Sequence, residues 1–174
     1  MNFPQFETDR LILRQFSDDD LDNVFKGLSH PEVIRYYGVK YTTREETKKQ
    51  MQWFKELEEK LTGIWWAITG IAEHNFMGAC GLNQIHQEFR KAEIGFWLLP
   101  EYWGKGIITE ALPLVCHYGF DTIGLHRIEA FVETENLKSK HAIGKMGFIH
   151  EGTMRDAELK DGKFISLEIH ALIQ

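Results

Sequence analysis

The chain has 174 residues, 43% hydrophobic and 26% charged, with a formal net charge of -6. That length and composition suit one folded domain, residues 1–174, with a sizeable core. The acidic balance argues against bulk nucleic-acid binding, which needs a basic footprint, and favours cationic partners such as amines. The first ten residues include Glu7, Asp9 and Arg10 and no apolar run, so no secretory signal is expected. No apolar stretch approaches the ~20 residues of a membrane span. Cys80 and Cys116 sit among apolar or small neighbours and read as buried thiols of a cytoplasmic protein. The histidines lack metal-site spacing, so no metal is expected.

In chain order, Leu11 to Phe16 reads as a first strand. Ser17 with Asp20 opens a helix whose apolar face is Leu21, Val24, Phe25 and Leu28, and His30-Pro31 stops it. Thr43 with Glu46 caps a second helix, with Met51, Phe54, Leu57 and Leu61 on its buried side and Gly63 beyond its end. Three strands follow: Ile64 to Thr69, Phe76 to Leu82 and Ala92 to Leu98. They predict an antiparallel meander.

The meander leads into Leu99-Pro-Glu-Tyr-Trp-Gly-Lys-Gly-Ile-Ile-Thr. Gly104 and Gly106 allow a sharp turn and close ligand approach. A helix follows, striped by Ile108, Leu112, Val115, Cys116 and Phe120, with Pro113 expected to bend it without ending it. The first amides of a helix lack carbonyl partners and carry partial positive charge. With Lys105 beside them, they form an anion site suited to a phosphate or pyrophosphate. A nucleoside triphosphate is disfavoured, since no Lys-Ser or Lys-Thr follows at P-loop spacing. A dinucleotide is disfavoured because a meander, not a βαβ unit, precedes the turn.

Arg127 to Thr134 alternates as a half-buried strand, with Ile128, Ala130 and Val132 on one face. Asn136 caps a helix that runs to Met146 and ends at Gly147, with Ser139 in its first turn. A final hairpin closes at Asp161-Gly162, and Ile165, Leu167, Ile169, Ala171 and Ile173 share one face of its second strand. The sum is a mixed α/β domain of about seven strands and four helices with a largely antiparallel sheet.

The assembled motifs resemble the GNAT superfamily of N-acetyltransferases, and most of all its ribosomal-protein N-terminal acetyltransferase branch. The resemblance rests on Thr8-Asp-Arg-Leu-Ile-Leu-Arg14, Ala92-Glu-Ile-Gly-Phe-Trp97, Tyr102-Trp-Gly-Lys-Gly106, Asn136-Leu-Lys-Ser139, Lys145-Met-Gly-Phe148 and Glu151-Gly-Thr153, in this order and spacing. It implies a sheet whose central strand pair, Ala92–Leu98 and Arg127–Thr134, splays apart, and acetyl-CoA as cosubstrate. The implied cofactor contacts are Trp97, Leu98 and Leu99 for the pantetheine arm. For the diphosphate they are Trp103, Gly104, Lys105, Gly106, Ile107, Ile108 and Thr109, with Asn136 and Ser139 opposite. Two positions depart from the pattern: Ile108 stands where the family has Gly or Ala, and Ser166 where the branch commonly has Asp; Trp103, where the wider family has Gln or Arg, is usual in the branch.

Acetyl transfer to an amine needs a base, an oxyanion donor and a proton for the leaving thiolate. The resemblance offers Glu158 as the base, with Glu93 as runner-up. A main-chain amide near Leu98 or Leu99 is the implied oxyanion donor, and Ser139 the implied proton source. As structural residues, Glu93 would pair with Lys91 or Arg127, and Ser139 would bond the helix backbone. The implied acceptor is the α-amine of a protein N-terminus, ribosomal by analogy. The alternatives are a small amine, such as a polyamine, amino acid or aminoglycoside, and a module that binds acyl-CoA without turnover. A monomer or a homodimer through exposed strand edges is expected.

Overall fold

The structure is a computed structural model and describes residues 3–174. One eight-stranded sheet organises it, in the order β1-β2-β3-β4-β5-β6-β8-β7. The strands are β1 (Phe6–Glu7), β2 (Leu11–Arg14), β3 (Ile64–Gly70), β4 (Phe76–His86), β5 (Lys91–Leu98), β6 (Arg127–Glu133), β7 (Ile149–Lys160) and β8 (Lys163–Ile173). The helices are α1 (Leu21–Leu28), α2 (Pro31–Ile34), α3 (Arg44–Glu59), α4 (Ile107–His117) and α5 (Leu137–Lys145). The expected meander is β3-β4-β5, and every pairing is antiparallel except β5 with β6.

Helices cover both faces of the sheet. Neighbouring residues on a strand point to opposite faces, so Trp65 and Trp66 separate two cores. Trp65, Ala67 and Trp97 pack with Val24, Leu28, Phe54 and Leu57 of α1 and α3. Trp66, Ile68, Ile94 and Ile128 pack with Ala111, Leu112, Val115 and Ile143 of α4 and α5. With both faces covered, β3 is buried at every position and reads as a continuous apolar run.

The elements depart from expectation in a few places. The eighth strand is β1, two residues that pair with β2. The first strand stops at Arg14, whose guanidinium forms a bidentate pair with the buried Asp20, both bonds at 2.8 Å. His30-Pro31 does not simply stop α1: His30 Nδ1 accepts the Glu32 amide, and Pro31 at the first helical position starts the short α2. Leu61 lies beyond α3, has φ 54° and is 75% exposed, so it leaves the buried stripe. Pro113 sits inside α4, and the chain continues into a π-helical segment, Tyr118–Ile123, as the unbroken stripe implied.

Candidate active site

Strands β5 and β6 touch along only three rungs: Lys91↔Arg127, Ala92↔Ile128 and Glu93↔Glu129. Beyond Glu93 they part. Each is held by its other neighbour: β5 stays paired with β4 as far as Leu98, and β6 with β8 as far as Glu133. The result is a wedge-shaped gap with Glu93 and Glu129 at its apex.

Backbone on the β5 side of this gap is partly free. The Leu99 amide donates to the Met77 carbonyl at 2.9 Å, so Leu99 has no amide left for a ligand. Antiparallel bonds alternate in direction along a strand. The amides of Phe96 and Leu98, opposite Cys80 and Gly78, therefore turn toward the gap. The Leu98 carbonyl is already taken, by the Trp103 indole N–H at 2.9 Å. Trp97 and Leu99 are buried with the α1–α3 core and Leu98 with the α4 core, so these three offer main chain, not side chain, to the gap.

The chain leaves β5 through a short 3-10 turn, Pro100–Tyr102, and reaches Gly104 and Gly106 with φ of 71° and 75°. Side chains resist that left-handed backbone, which is why glycine stands at both positions. Gly106 is the N-cap of α4, with no side chain capping the helix. The amides of Ile107, Ile108 and Thr109 therefore lack helical partners, while the Thr109 hydroxyl turns back to the Gly106 carbonyl at 2.9 Å. Two lysines rest on rings at this turn: Lys105 over Tyr102 at 5.5 Å and Lys138 over Trp103 at 4.4 Å. Ile108, the bulky departure, is half-buried against the α4 core.

On the far side of the gap, α5 opens with Asn136, whose Oδ1 accepts the Ser139 backbone amide at 3.2 Å. It is the Ser139 amide, not its hydroxyl, that Asn136 engages. Lys138 on this first turn reaches the glycine turn through Trp103, so the two helix mouths stand side by side.

The face of the sheet toward α1 and α3 carries the carboxylates. Glu93 does not pair with Lys91 or Arg127; both bind Glu129, at 3.1 and 2.8 Å. Burial works against the charged form of Glu129, but those bonds outweigh it and hold its carboxyl below the ordinary range. Glu93 has only neutral help: Gln84 donates to it at 2.9 Å, and the Asn83 side chain also favours its charged form, which burial outweighs. Burial first, then the negative charges of Glu129 and Glu158, push the Glu93 carboxyl up. The same Glu93 charge, added to burial, pushes the Tyr37 phenol up, so Tyr37 belongs to this face as well.

Glu158 is exposed on β7, opposite Ile165 of β8. Its position follows a bulge between Met154 and Glu158, in which Asp156 has φ 49°. The Ser166 hydroxyl accepts the Asp156 amide at 3.0 Å, so Ser166, the residue that departs from the branch pattern, pins this bulge. Beyond it, Lys160 binds Glu133 of β6 and the Arg35 carbonyl, both at 2.5 Å, and Lys40 pairs with Asp161. These bonds tie the hairpin to the α2–α3 connection over the same face.

Of the residues the sequence singled out, the glycine turn, Asn136 and Ser139 converge on the mouth of the gap, and Glu93 and Glu158 lie within each other's field on one face. Sequence reasoning missed Lys138 as a bridge across the mouth and Arg10, which contacts Lys105 and Glu110. Each left a trace only as a member of a motif, Arg10 in Thr8–Arg14 and Lys138 in Asn136–Ser139. Among the described residues, no group of His, Cys, Asp or Glu could hold a metal ion, and no helix is long and apolar enough to cross a membrane.

A wedge between two strands beside an uncapped helix mouth offers unpaired amides to an extended chain that carries an anionic group. The sequence profile of the acetyltransferase (GNAT) domain matches residues 10–149, and the chain belongs to that family. It is similar to the uncharacterized N-acetyltransferase YoaA of Bacillus subtilis, 36% identical over 173 residues, covering 99% of this chain and 98% of YoaA. It is 34% identical over 160 residues to the spermidine N(1)-acetyltransferase of Escherichia coli, covering 87% of this chain and 80% of that one. It is 28% identical over 131 residues to the ribosomal-protein-serine acetyltransferase of Escherichia coli, covering 75% and 72%. The protein is an N-acetyltransferase with acetyl-CoA as donor. The residues present fit that donor: unpaired amides at a helix mouth, open space where a Cβ on Gly104 would stand, and a strand edge with amides turned into the gap.

Proposed function

We propose that this enzyme acetylates the α-amine of a protein N-terminus, with ribosomal proteins as the substrate class. The observation that carries the reading is the carboxyl pair Glu93 and Glu158, one half-buried and pushed up, the other exposed on the outer wall. An exposed Glu158 suits an acceptor that remains part of a larger molecule. A site whose bases are carboxylates also suits a weakly basic amine. An α-amine titrates near pH 8, whereas a lysine-type amine titrates near 10.4, so the α-amine gives up its proton more readily.

In this reading Glu158 draws the ammonium group in and Glu93 takes its proton. Sequence motifs put Glu158 first as base; burial favours Glu93, because a base works best with a proton affinity near the working pH. Bound acetyl-CoA supplies the thioester carbonyl and the thiol leaving group. The gap-facing amide of Leu98 or Phe96 serves as oxyanion donor. As the C–N bond forms and the C–S bond breaks, the extra proton on the attacking nitrogen passes to the departing sulfur through the Ser139 hydroxyl, in the first turn of α5, which takes one proton as it gives another; the helix dipole there also favours negative charge. Both cysteines are buried and unpaired, which fits a cytoplasmic setting.

A second reading is a polyamine acceptor, supported by the 34% identical spermidine acetyltransferase and by four glutamates, Glu93, Glu129, Glu133 and Glu158, near one face. Two of the four are already neutralised, Glu129 by Lys91 and Arg127 and Glu133 by Lys160. That leaves two free negative charges, enough for one ammonium group and few for a long polycation. Thiol release from acetyl-CoA decides between the readings, with N-terminal peptides, their N-blocked forms and spermidine as acceptors. Turnover of free peptides supports the first; turnover of spermidine without peptides overturns it.

A further inference from the structure

Thr8 and Arg10 lie in the turn between β1 and β2, about 100 residues before the glycine turn in sequence, yet they are wired to it. Arg10 Nη1 donates to the Lys105 carbonyl at 3.2 Å. Its Nε donates to Glu110 at 2.8 Å, and Nη2 pairs with the same carboxylate. The other oxygen of Glu110 accepts the Thr8 hydroxyl. That hydroxyl in turn accepts the Leu11 amide at 2.9 Å, and Leu11 is fully buried in the sheet. A continuous path therefore runs from a core strand to both sides of the α4 N-terminus.

The path has two consequences for an anion at that helix mouth. A trans peptide unit points its carbonyl and its amide in opposite directions. With the Lys105 carbonyl held by Arg10, the Gly106 amide is turned away from Arg10, to the side opposite the guanidinium. Glu110 would also set a negative charge in the first turn of α4. Burial alone raises its proton affinity, but the bonds from Arg10 and Thr8 outweigh that and keep it ionised, with its charge matched by the guanidinium. Arg10 thus masks the one carboxylate in this turn that would repel a phosphate.

We propose that Arg10 is a positioning residue for the diphosphate of acetyl-CoA, acting through the Lys105–Gly106 peptide and through Glu110. Its contribution to the fold should be small, because the guanidinium is half-exposed and solvent screens its ion pair. The comparison is wild type, Arg10→Gln and Arg10→Lys, with CoA and pantetheine titrated by calorimetry and melting followed in parallel. Pantetheine lacks the diphosphate. Arg10→Gln should weaken CoA by about tenfold, the size of one lost charge-assisted contact. Pantetheine binding and the melting temperature should stay at wild-type values, and Arg10→Lys should recover part of the CoA loss. Kinetically, the KM for acetyl-CoA should rise with kcat held. Unchanged CoA affinity in Arg10→Gln overturns the assignment, as does equal weakening of CoA and pantetheine. If Arg10→Gln fails to fold, Arg10 is structural and the proposal also falls.

Discussion

Glu93 stands opposite Glu129 on the last rung before β5 and β6 part, yet only Glu129 is neutralised. Two adjacent carboxylates thus differ sharply: Lys91 and Arg127 hold one down, while burial and its negative neighbours push the other up. Such a split is how one site separates a fixed anion from a titrating base.

This split predicts opposite pH signs for activity and stability. The raised Glu93 carboxyl prefers its proton in the folded state. Its contribution is therefore favourable at acid pH and is lost as pH rises from the unfolded glutamate value, 4.5, through the folded value. Glu93→Gln, which cannot ionise, should be more stable than wild type at pH 7, with the advantage shrinking toward pH 4. Activity should move the other way, with a large loss of kcat and loss of the acidic limb of the pH profile. Urea unfolding at the two pH values checks the first half, and the kcat profile the second.

The glycine turn gives a cleaner separation of backbone from contact. A Cβ on Gly104 would meet nothing within 4 Å, so Gly104→Ala carries only the left-handed backbone cost of about 1–2 kcal/mol. Gly106→Ala, also at positive φ, carries the same cost at the N-cap of α4. Both should lower the melting temperature by similar amounts. Gly106→Ala should weaken CoA more, because its strain is released by reorienting the amides of the helix mouth. Calorimetry with CoA, beside thermal melts of both variants, tests the difference.

Much of this architecture is legible in the sequence, and the reasons for the rest are physical. The β5–turn–α4 unit is local: alternation, two glycines and a 3.6-residue stripe lie within thirty residues. The start of α2 is misread because proline both ends helices and begins them, and His30 decides which by accepting the Glu32 amide. Leu61 fits the stripe of α3, but the helix has already ended at Glu59. The splay is invisible to periodicity, since β5 and β6 alternate identically whether paired or parted; only the family resemblance suggested it. The contacts of Arg10 and Lys160 span 100 and 125 residues, beyond any local pattern.

The bonds of Lys160 predict a role at the acceptor end. They join the β7–β8 hairpin to Glu133 and to the Arg35 carbonyl, on the same face as Glu93. Lys160→Met should free the hairpin and leave Glu133 unpaired. The KM for the amine should change severalfold, since it depends on that wall, while the KM for acetyl-CoA should hold. Steady-state kinetics with each substrate varied in turn separates the two, and equal shifts in both constants refute a role confined to the acceptor.

Gly27 in α1 carries the last prediction, which links core packing to the site. A Cβ there would come within 2.1 Å of the Trp97 ring, and Trp97 is 4% exposed, with its indole N–H buried and unbonded. Helix propensity alone would make Gly27→Ala stabilising by up to about 1 kcal/mol. The clash should reverse that sign, because forcing a ring aside in a close-packed core costs about 1–3 kcal/mol. The ring cannot move without disturbing β5 between Phe96 and Leu98, where amides face the gap. Gly27→Ala should therefore lose stability in urea and CoA affinity together. Trp97→Phe made in the same background should restore part of both, since a smaller ring leaves room for the methyl group. If the double variant recovers stability but not affinity, packing at Gly27 and the geometry of the gap are independent.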